Sequence, residues 1–302
     1  MNSARSGVLV VDKPSGRTSH DVVAAARKLF GQRAVGHAGT LDPMATGVLV
    51  LMFGEACKLS DYLTGQDKTY RARVTFGVAT DSLDADGQVT HSHALDPGWL
   101  SEGALSDALT QERERTEQVP PNVSAIQEQG QRAHARARRG EHFELPARNV
   151  RVAELRLLQV DPAAVDVELT VAKGYYVRAF ARDLGSRLGV AAHLSALRRI
   201  RSGAFSEEEA LAWPATAAPA LVPLADAARR ALPATQLTVE GALRARQGKI
   251  LQPTDAITSA TTSDEVSAWY APDGSLIALG QTHADGHHRV VRGFVAEPPS
   301  VL

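Results

Sequence analysis

The order of apolar and polar positions divides this chain into short runs that read as strands and amphipathic stretches that read as helices. Val8 to Val11 is a compact apolar run, a strand by its length and β-branching. After the loop Lys13-Pro14-Ser15-Gly16-Arg17 a helix begins. Thr18 and Asp21 form a capping-box pattern, Val22, Val23, Ala26, Leu29 and Phe30 share one face, and Gly31 supplies the stop. Val48 to Met52 is a second continuous apolar run, closed by Gly54, and predicts a buried strand; a helix over 55–63 follows. Between Thr69 and Val78 the period drops to two, with Tyr70, Ala72, Val74, Phe76 and Val78 inward and Arg71, Arg73 and Thr75 outward.

Further along, a helix is expected over 100–109, and Val165, Val167, Leu169 and Val171 alternate as a strand into Gly174. Tyr176 to Leu188 reads as a helix with Val177, Phe180, Leu184 and Leu188 inward, ended by Gly189. Residues 206–231, rich in Ala and Pro with Glu207 to Glu209, read as a linker and edge region. A new pattern then starts: a helix over Val239 to Arg246 stopped by Gly248, a hairpin of Val266–Tyr270 and Leu276–Gly280 around Pro272-Asp273-Gly274, and a strand over 289–295. Together these elements make an α+β protein with a small, mostly β unit at its C-terminal end.

Composition changes the picture in two places. The 302 residues, 44% hydrophobic and 22% charged, suffice for one large domain and a small one. Cys57 is the single cysteine, which excludes an internal disulfide, a Cys-based zinc site and a redox pair, and suits a reducing cytosol. The first apolar run ends at Asp12 and Lys13, too short for a signal segment or a membrane span, so the expectation is a cytoplasmic protein away from the membrane. Net charge is −1, which argues against a nucleic-acid binder, yet the charges are segregated. From 173 to 205 the basic residues are Lys173, Arg178, Arg182, Arg187, Arg198, Arg199 and Arg201, against Asp183 alone. A second basic segment holds Arg132, Arg136, Arg138, Arg139 and Arg148. Such clusters offer a polyanion an attractive face or make an ordinary solvated one.

The chemistry concentrates in Gly36 to Leu49, where Gly36, Gly39 and Gly47 permit unusual backbone angles and Pro43 fixes the residue after Asp42. An isolated Asp-Pro pair is an ordinary turn. Here, however, the stiff loop leads into a buried strand, which places one carboxylate at the mouth of the core. Ser82 to Gly87 puts Asp84, Asp86 and Gly87 in calcium-loop positions, but Ser82 stands at position one and His93 at position twelve, so it reads as a polar hairpin loop. Arg178 lies in the first turn of its helix, where the helix dipole disfavours a cation, and this points to a fixed anionic partner.

Five ordered motifs then coincide: Lys13-Pro-Ser-Gly-Arg-Thr-Ser, His37-Ala-Gly-Thr-Leu-Asp42-Pro-Met-Ala-Thr-Gly, Lys68-Thr-Tyr70, Pro120-Pro-Asn-Val-Ser-Ala and Lys173-Gly-Tyr-Tyr-Val-Arg178. This combination closely resembles the TruB family of tRNA pseudouridine-55 synthases. The resemblance implies a catalytic domain over 1–230, built on a mixed, largely antiparallel central sheet flanked by helices and loops, with an RNA-gripping insertion near 118–150. It implies a PUA-like RNA-binding domain over 231–302. By the same resemblance Asp42 is the catalytic aspartate, Tyr70 the aromatic stacked on the target base, and Arg178 the partner of Asp42. Tyr176 and Leu197 line the pocket, and His37 organises the flipped nucleotide. Lys13, Lys173 and Arg138 are expected at the substrate. The implied partner is the T-stem-loop of tRNA, bound by a monomer with no cofactor, no metal and no obligate protein partner. His134-Ala-Arg-Ala-Arg departs from the family's Tyr-x-x-Ala-Arg and touches only the insertion. Rival readings are a non-catalytic RNA-binding or RNA-folding protein, a guide-RNA-dependent synthase subunit, and a sugar hydrolase with Asp84 as second acid. An arginine beside Asp42 is expected to lower its pKa.

Overall fold

Two strands that are apolar throughout lie side by side at the centre of the molecule. In the computed structural model, which describes residues 5–124, 127–128, 131–132, 136, 139, 143, 145–259, 265–284 and 286–295, β1 (Gly7–Lys13) pairs antiparallel with β3 (Thr46–Phe53) along its whole length. Neither strand alternates, because both sheet faces are covered here. Leu9, Val11, Leu49, Leu51 and Phe53 enter one core with Val22, Val23 and Ala26 of α1 (Ser19–Phe30), while Val8, Val10, Val48, Val50 and Met52 enter the other. The α1 ends follow the sequence: the Thr18–Asp21 capping box closes the start, and Gly31 takes the left-handed conformation at the end, with φ 61°.

The main sheet runs in the order β5 (Val152–Asp161), β6 (Ala164–Val171), β4 (Lys68–Phe76), β7 (Ala192–Ser202), β3, β1, β8 (Leu211–Ala212). Two short strands, β2 (Val35–His37) on β3 and β9 (Val222–Pro223) on β1, extend it, and Phe205–Ser206 folds back on β7. The sheet is mixed: β7 runs parallel to β3 and β8 parallel to β1, and the other pairings are antiparallel.

β4 and β6 do alternate, since only one of their faces is covered. On the open face Arg71 pairs with Glu168 at 3.2 Å, Arg73 with Asp166 at 2.6 Å and with Asp161, and Thr69 with Thr170 at 3.0 Å. On the covered face pack α3 (Glu102–Arg113) and α4 (Val177–Arg187), through Leu105, Leu109, Val177, Phe180 and Leu184. Glu112 of α3 is fully buried. It accepts from the Tyr175 hydroxyl at 2.7 Å and from Arg187 at 2.6 Å, so the two helices are tied just behind the start of α4. The expected helix over 55–63 is a 3₁₀ stretch, Gly54–Leu59, running into a short α2 (Ser60–Gly65).

Of the linker and edge region expected over 206–231, the edge is observed and the linker is corrected. Its residues supply β8 and β9, which extend the sheet beside β1, and α5 (Leu224–Ala231), whose Leu224, Ala227 and Ala228 are buried. A separate five-stranded sheet follows in the order β11 (Ala256–Ser259), β10 (Ala234–Leu237), β12 (Val266–Tyr270), β13 (Leu276–Thr282), β14 (His288–Gly293), with α6 (Val239–Arg246) against it. Ala268, Tyr270, Leu276 and Leu279 share one core with α5, β1 and β3, and the Tyr270 hydroxyl donates to the Ala225 carbonyl at 3.0 Å. Alanine- and proline-rich composition misled because small side chains also suit a helix wedged between two sheets. Among the described residues no helix is long and apolar enough to cross a membrane.

The register sets one row across the sheet: Gly47 on β3, Arg199 on β7, Tyr70 on β4 and Leu169 on β6. Gly47 has φ 98°, and a Cβ there would sit 2.2 Å from the Arg199 carbonyl oxygen. Gly47→Ala is therefore expected to cost about 3 kcal/mol or more, from left-handed strain plus overlap with a central strand. Denaturant midpoints check this, and a change below about 0.5 kcal/mol would contradict the packing.

Candidate active site

The Asp42 loop is held by backbone-directed bonds from three sides. The Ser19 hydroxyl accepts from Leu41 N–H at 2.9 Å and donates to the Leu41 carbonyl at 3.2 Å. Gly16 N–H donates to the Pro43 carbonyl at 2.8 Å, and the Ser15 hydroxyl to the Met44 carbonyl at 3.2 Å. Lys13 completes the tie. Its side chain is fully buried and its ammonium donates to the carbonyls of Pro14, Arg17 and Pro43 at 2.9, 2.6 and 3.2 Å. The expectation that Lys13 meets substrate is thus corrected, because it has no surface to offer. Burial outweighs the pull of Asp42 and lowers its pKa to about 8.

Arg178 closes on the Asp42 carboxylate from α4. Nη2 donates to Oδ1 at 3.2 Å, and Nε lies 2.9 Å from Oδ2, off the N–H direction, as a charge contact. The same guanidinium donates to the Ser82 carbonyl at 2.9 Å and to the Val123 carbonyl at 2.9 Å, and stands 3.5 Å from Asp84 Oδ2. Arg178 is 6% exposed, whereas Asp42 keeps about a third of its side chain, 34%, open to the cavity. The net effect on Asp42 is the reverse of the expectation: its pKa is raised. Desolvation by the enclosing walls is the largest cause, and the neighbouring Asp84 adds to it against the lowering pull of Arg178.

Asp84, weighed in the sequence only as a hairpin-loop residue and as the second acid of a sugar hydrolase, stands beside the pair. It is 4% exposed, accepts from the Ser82 hydroxyl at 2.6 Å and from Asp86 N–H at 3.1 Å, and is anchored where Ala85 N–H donates to the Leu194 carbonyl at 3.0 Å. Leu83 takes φ 65° to make the turn. Only the clustering of Ser82, Asp84 and Asp86 hinted at a built loop.

These groups open on a cavity of about 520 Å³ whose walls include Tyr70, Tyr176, Leu197, Lys68 and Arg199. Tyr176 is braced by Gln118, which accepts from its N–H at 2.8 Å and donates to its carbonyl at 3.1 Å, and burial raises the Tyr176 pKa. Leu197 is 7% exposed, and Lys173 stands exposed on the rim. His37 ends β2 outside the lining: its Nδ1 is enclosed without a hydrogen-bond partner, its ring meets His20 edge-on at 5.6 Å, and burial lowers its pKa to about 4. Arg138 and His134 lie outside the described residues.

The basic face expected over 173–201 largely dissolves. Arg178 serves Asp42, Arg182 meets Asp183 at 2.7 Å, Arg187 meets Glu112, Arg198 holds Asp12 at 2.9 Å and Glu207 at 2.9 Å, and Arg199 is 1% exposed. Lys173 and Arg201 stay exposed. Acids from distant segments pair with Arg178, Arg187 and Arg198, and Arg199 is buried, so most of the stretch presents no open basic face.

With this geometry in view, comparison with known proteins decides the family. Residues 27–177 match the TruB family pseudouridylate synthase (N terminal domain), and residues 178–222 match the tRNA pseudouridylate synthase B C-terminal domain. The chain belongs to the TruB family. The tRNA pseudouridine synthase B of Arthrobacter sp. (strain FB24) is 43% identical over 91% of this chain and 92% of its own. That of Mycolicibacterium paratuberculosis (strain ATCC BAA-968 / K-10) is 45% identical over 90% and 92%. Among solved structures, an H/ACA ribonucleoprotein bound to a substrate RNA containing 2′-deoxyuridine has a chain with TM-score 0.71 and 23% identity, covering 96% of this chain and 85% of that one. A Cbf5–Nop10–Gar1 complex gives TM-score 0.72 at 23% identity, covering 96% and 84%. These two share the TruB fold.

Asp42 is expected to titrate above the ordinary carboxylate range, and Asp84→Asn to move that titration to lower pH by removing a like charge. Carboxyl ¹³C shifts against pH check both; a titration that stays in place would show that Asp84 does not act on Asp42.

Proposed function

We propose that this TruB-family chain isomerises the T-loop uridine at position 55 of tRNA to pseudouridine. The observation that carries the reading is the Arg178–Asp42 pair, 2.9 and 3.2 Å apart, facing a cavity walled by Tyr70. The relatives named tRNA pseudouridine synthase B, matched over nine-tenths of their length, support tRNA as the substrate.

The reaction moves C1′ of the ribose from N1 to C5 of the same uracil, releases the C5 proton and puts a proton on the freed N1, so substrate and product have the same composition. Reaching the base inside a folded loop requires flipping it out, at a cost of a few kcal/mol in lost stacking. Stacking on the Tyr70 ring offsets part of that, about 1 to 3 kcal/mol per base. Tyr176 and Leu197 close the other walls, and a cavity of about 520 Å³ suits one nucleoside.

Asp42 then acts on the glycosidic bond. A carboxylate fixed beside C1′ stabilises or captures the positive sugar carbon as N1 leaves, as paired carboxylates do in glycosidases. Attack at C6, or removal of a C2′ proton to give a glycal, would use the same ionised group. Arg178 holds that carboxylate in one direction, and a raised pKa makes it a stronger base than a solvated aspartate. In this reading Lys173, exposed at the rim, meets backbone phosphate, His37 organises the flipped nucleotide, and Arg138 of the insertion near 118–150 adds a further substrate contact.

In this reading residues 1–230 form the catalytic domain, the sheet within 231–302 serves as a PUA-like RNA-binding domain, and the protein works as a cytoplasmic monomer without an obligate protein partner. Purified protein alone is expected to convert a bare T-stem-loop. Failure on the bare RNA with activity restored by a guide RNA would point to a guide-dependent subunit instead.

Asp42→Asn should abolish tritium release from uridine labelled at C5 while stem-loop affinity is largely kept; retained turnover would reject the role. Arg178→Lys keeps the charge but loses the planar fork, and its single-turnover rate should fall by about tenfold or more. A near-normal rate would show that the geometry of the pair is dispensable.

A further inference from the structure

The cavity holds more buried positive charge than the pair at its centre explains. Lys13, Lys68, Arg178 and Arg199 are each at most 6% exposed, and the carboxylates at the cavity are Asp42, Asp84 and the exposed Asp86. Lys13 faces away, into the loop. Lys68 and Arg199 line the cavity itself.

Neither of these two is paired with an acid within ion-pair distance among the described residues. Arg199 donates through Nε to the Val48 carbonyl at 2.6 Å and through Nη2 to the Gly39 carbonyl at 3.1 Å, and Nη1 meets no acceptor among the described residues. Lys68 donates to the carbonyls of Thr64 and Gln66, both at 2.6 Å, which leaves one of its three N–H donors uncommitted. The two cations are neighbours. A Cβ placed on Gly39 would lie 3.5 Å from Lys68 Cε and 3.6 Å from Arg199 Nη1, ordinary contact distances, so both cations lie directly against the Asp42 loop. Burial, then repulsion from Arg199, lowers the Lys68 pKa to about 8. Two like charges kept together, dry and with neutral partners, are costly unless the site receives an anion.

The register says where that anion forms. Arg199 stands directly opposite Tyr70 across the β7–β4 pair, and paired residues share a face. A uracil stacked on Tyr70 therefore brings its edge toward the Arg199 guanidinium, while the phosphates stay at the rim with Lys173. We propose that Arg199, assisted by Lys68, forms an electropositive floor that stabilises the negative charge on the uracil ring when its bond to the ribose breaks.

The inference rests on the proposed isomerisation but not on its route. In heterolysis the N1–C1′ electron pair leaves with the base, giving a uracil anion spread over N1, O2 and O4, while the positive charge at C1′ is met by an Asp42 oxygen. In glycal formation Asp42 takes the C2′ proton and the same pair leaves on N1. In addition at C6 an Asp42 oxygen bonds to C6 and the ring electrons move to O4. Each route puts negative charge on ring oxygens, and fixed donors in a dry cavity stabilise developing charge strongly. When C5 then bonds to C1′, that bond takes up the ring's negative charge, and the electron pair left in the ring as the C5 proton departs is neutralised by a proton at N1.

The test uses the leaving group. Fluorine at C5 withdraws electrons and makes the ring anion more stable at nearly unchanged shape. Two T-stem-loops, with uridine or 5-fluorouridine at the target position, are compared by loss of the N-linked nucleoside in single turnovers at saturating protein. Arg199→Gln is expected to slow the uridine RNA by about 100-fold, with the Kd for RNA within about threefold of the parent. With the fluorinated RNA the deficit should shrink by about tenfold, because the floor has less charge to stabilise. Lys68→Met should show the same pattern at smaller amplitude, and it alone decides if Arg199→Gln does not fold. Equal deficits on the two RNAs, or a loss confined to Kd, would overturn the inference and leave a purely positioning role for Arg199 beneath the loop. If the unsubstituted protein converts neither RNA, the isomerase reading itself fails.

Discussion

One buried guanidinium joins the parts of this molecule that have to meet. Arg178 comes from α4, and its N–H groups reach Asp42, the Ser82 carbonyl, the Val123 carbonyl and the neighbourhood of Asp84, segments spread over more than a hundred residues. A buried cation is tolerable only when its donors are satisfied and an opposite charge is close. That requirement draws the loops together and aims the carboxylate of Asp42. The tie between Glu112, Tyr175 and Arg187 behind α4, and the Gln118 amide on Tyr176, keep the arginine itself in place.

Charge in this protein is organised by depth as well as by sign. On the open sheet face the arginines of β4 are neutralised across the strands by Glu168, Asp166 and Asp161. Such exposed pairs contribute little to stability. Beneath the Asp42 loop, Lys13, Lys68 and Arg199 are instead met by backbone carbonyls, which satisfy many of their N–H groups without cancelling their charge. A chain with a formal net charge of −1 thereby gathers buried cations at the cavity that Asp42 faces.

The second sheet is built into the same framework. α5 sits between it and β1, and one apolar cluster runs from Val8 and Val50 through Leu224 and Ala228 to Tyr270 and Leu279. A surface that binds RNA on the second sheet would therefore keep a set orientation relative to the cavity, because moving it would expose a shared core.

Local signals determined a good deal. The capping box at Thr18, the continuous runs of β1 and β3, the alternation of β4 and β6, the helix from Val177 and the strands β12 to β14 follow from propensity and period, which act over a few residues. The motif loop around Asp42 was equally plain, since Gly39 and Gly47 adopt backbone angles that favour glycine. Tertiary structure decided the rest. β7 could not be separated from a basic surface because its Arg198 is neutralised by Asp12 and Glu207, far away in sequence or around a turn, and its Arg199 is buried. α5 hid in a stretch that resembled a linker, and Asp84 looked like a hairpin residue until β7 and Arg178 enclosed it. The shift of Asp42 to a higher pKa likewise depends on walls supplied by several segments. Periodicity records what a residue's near neighbours require of it; burial and charge pairing are set by residues that only the folded chain brings within a few ångströms.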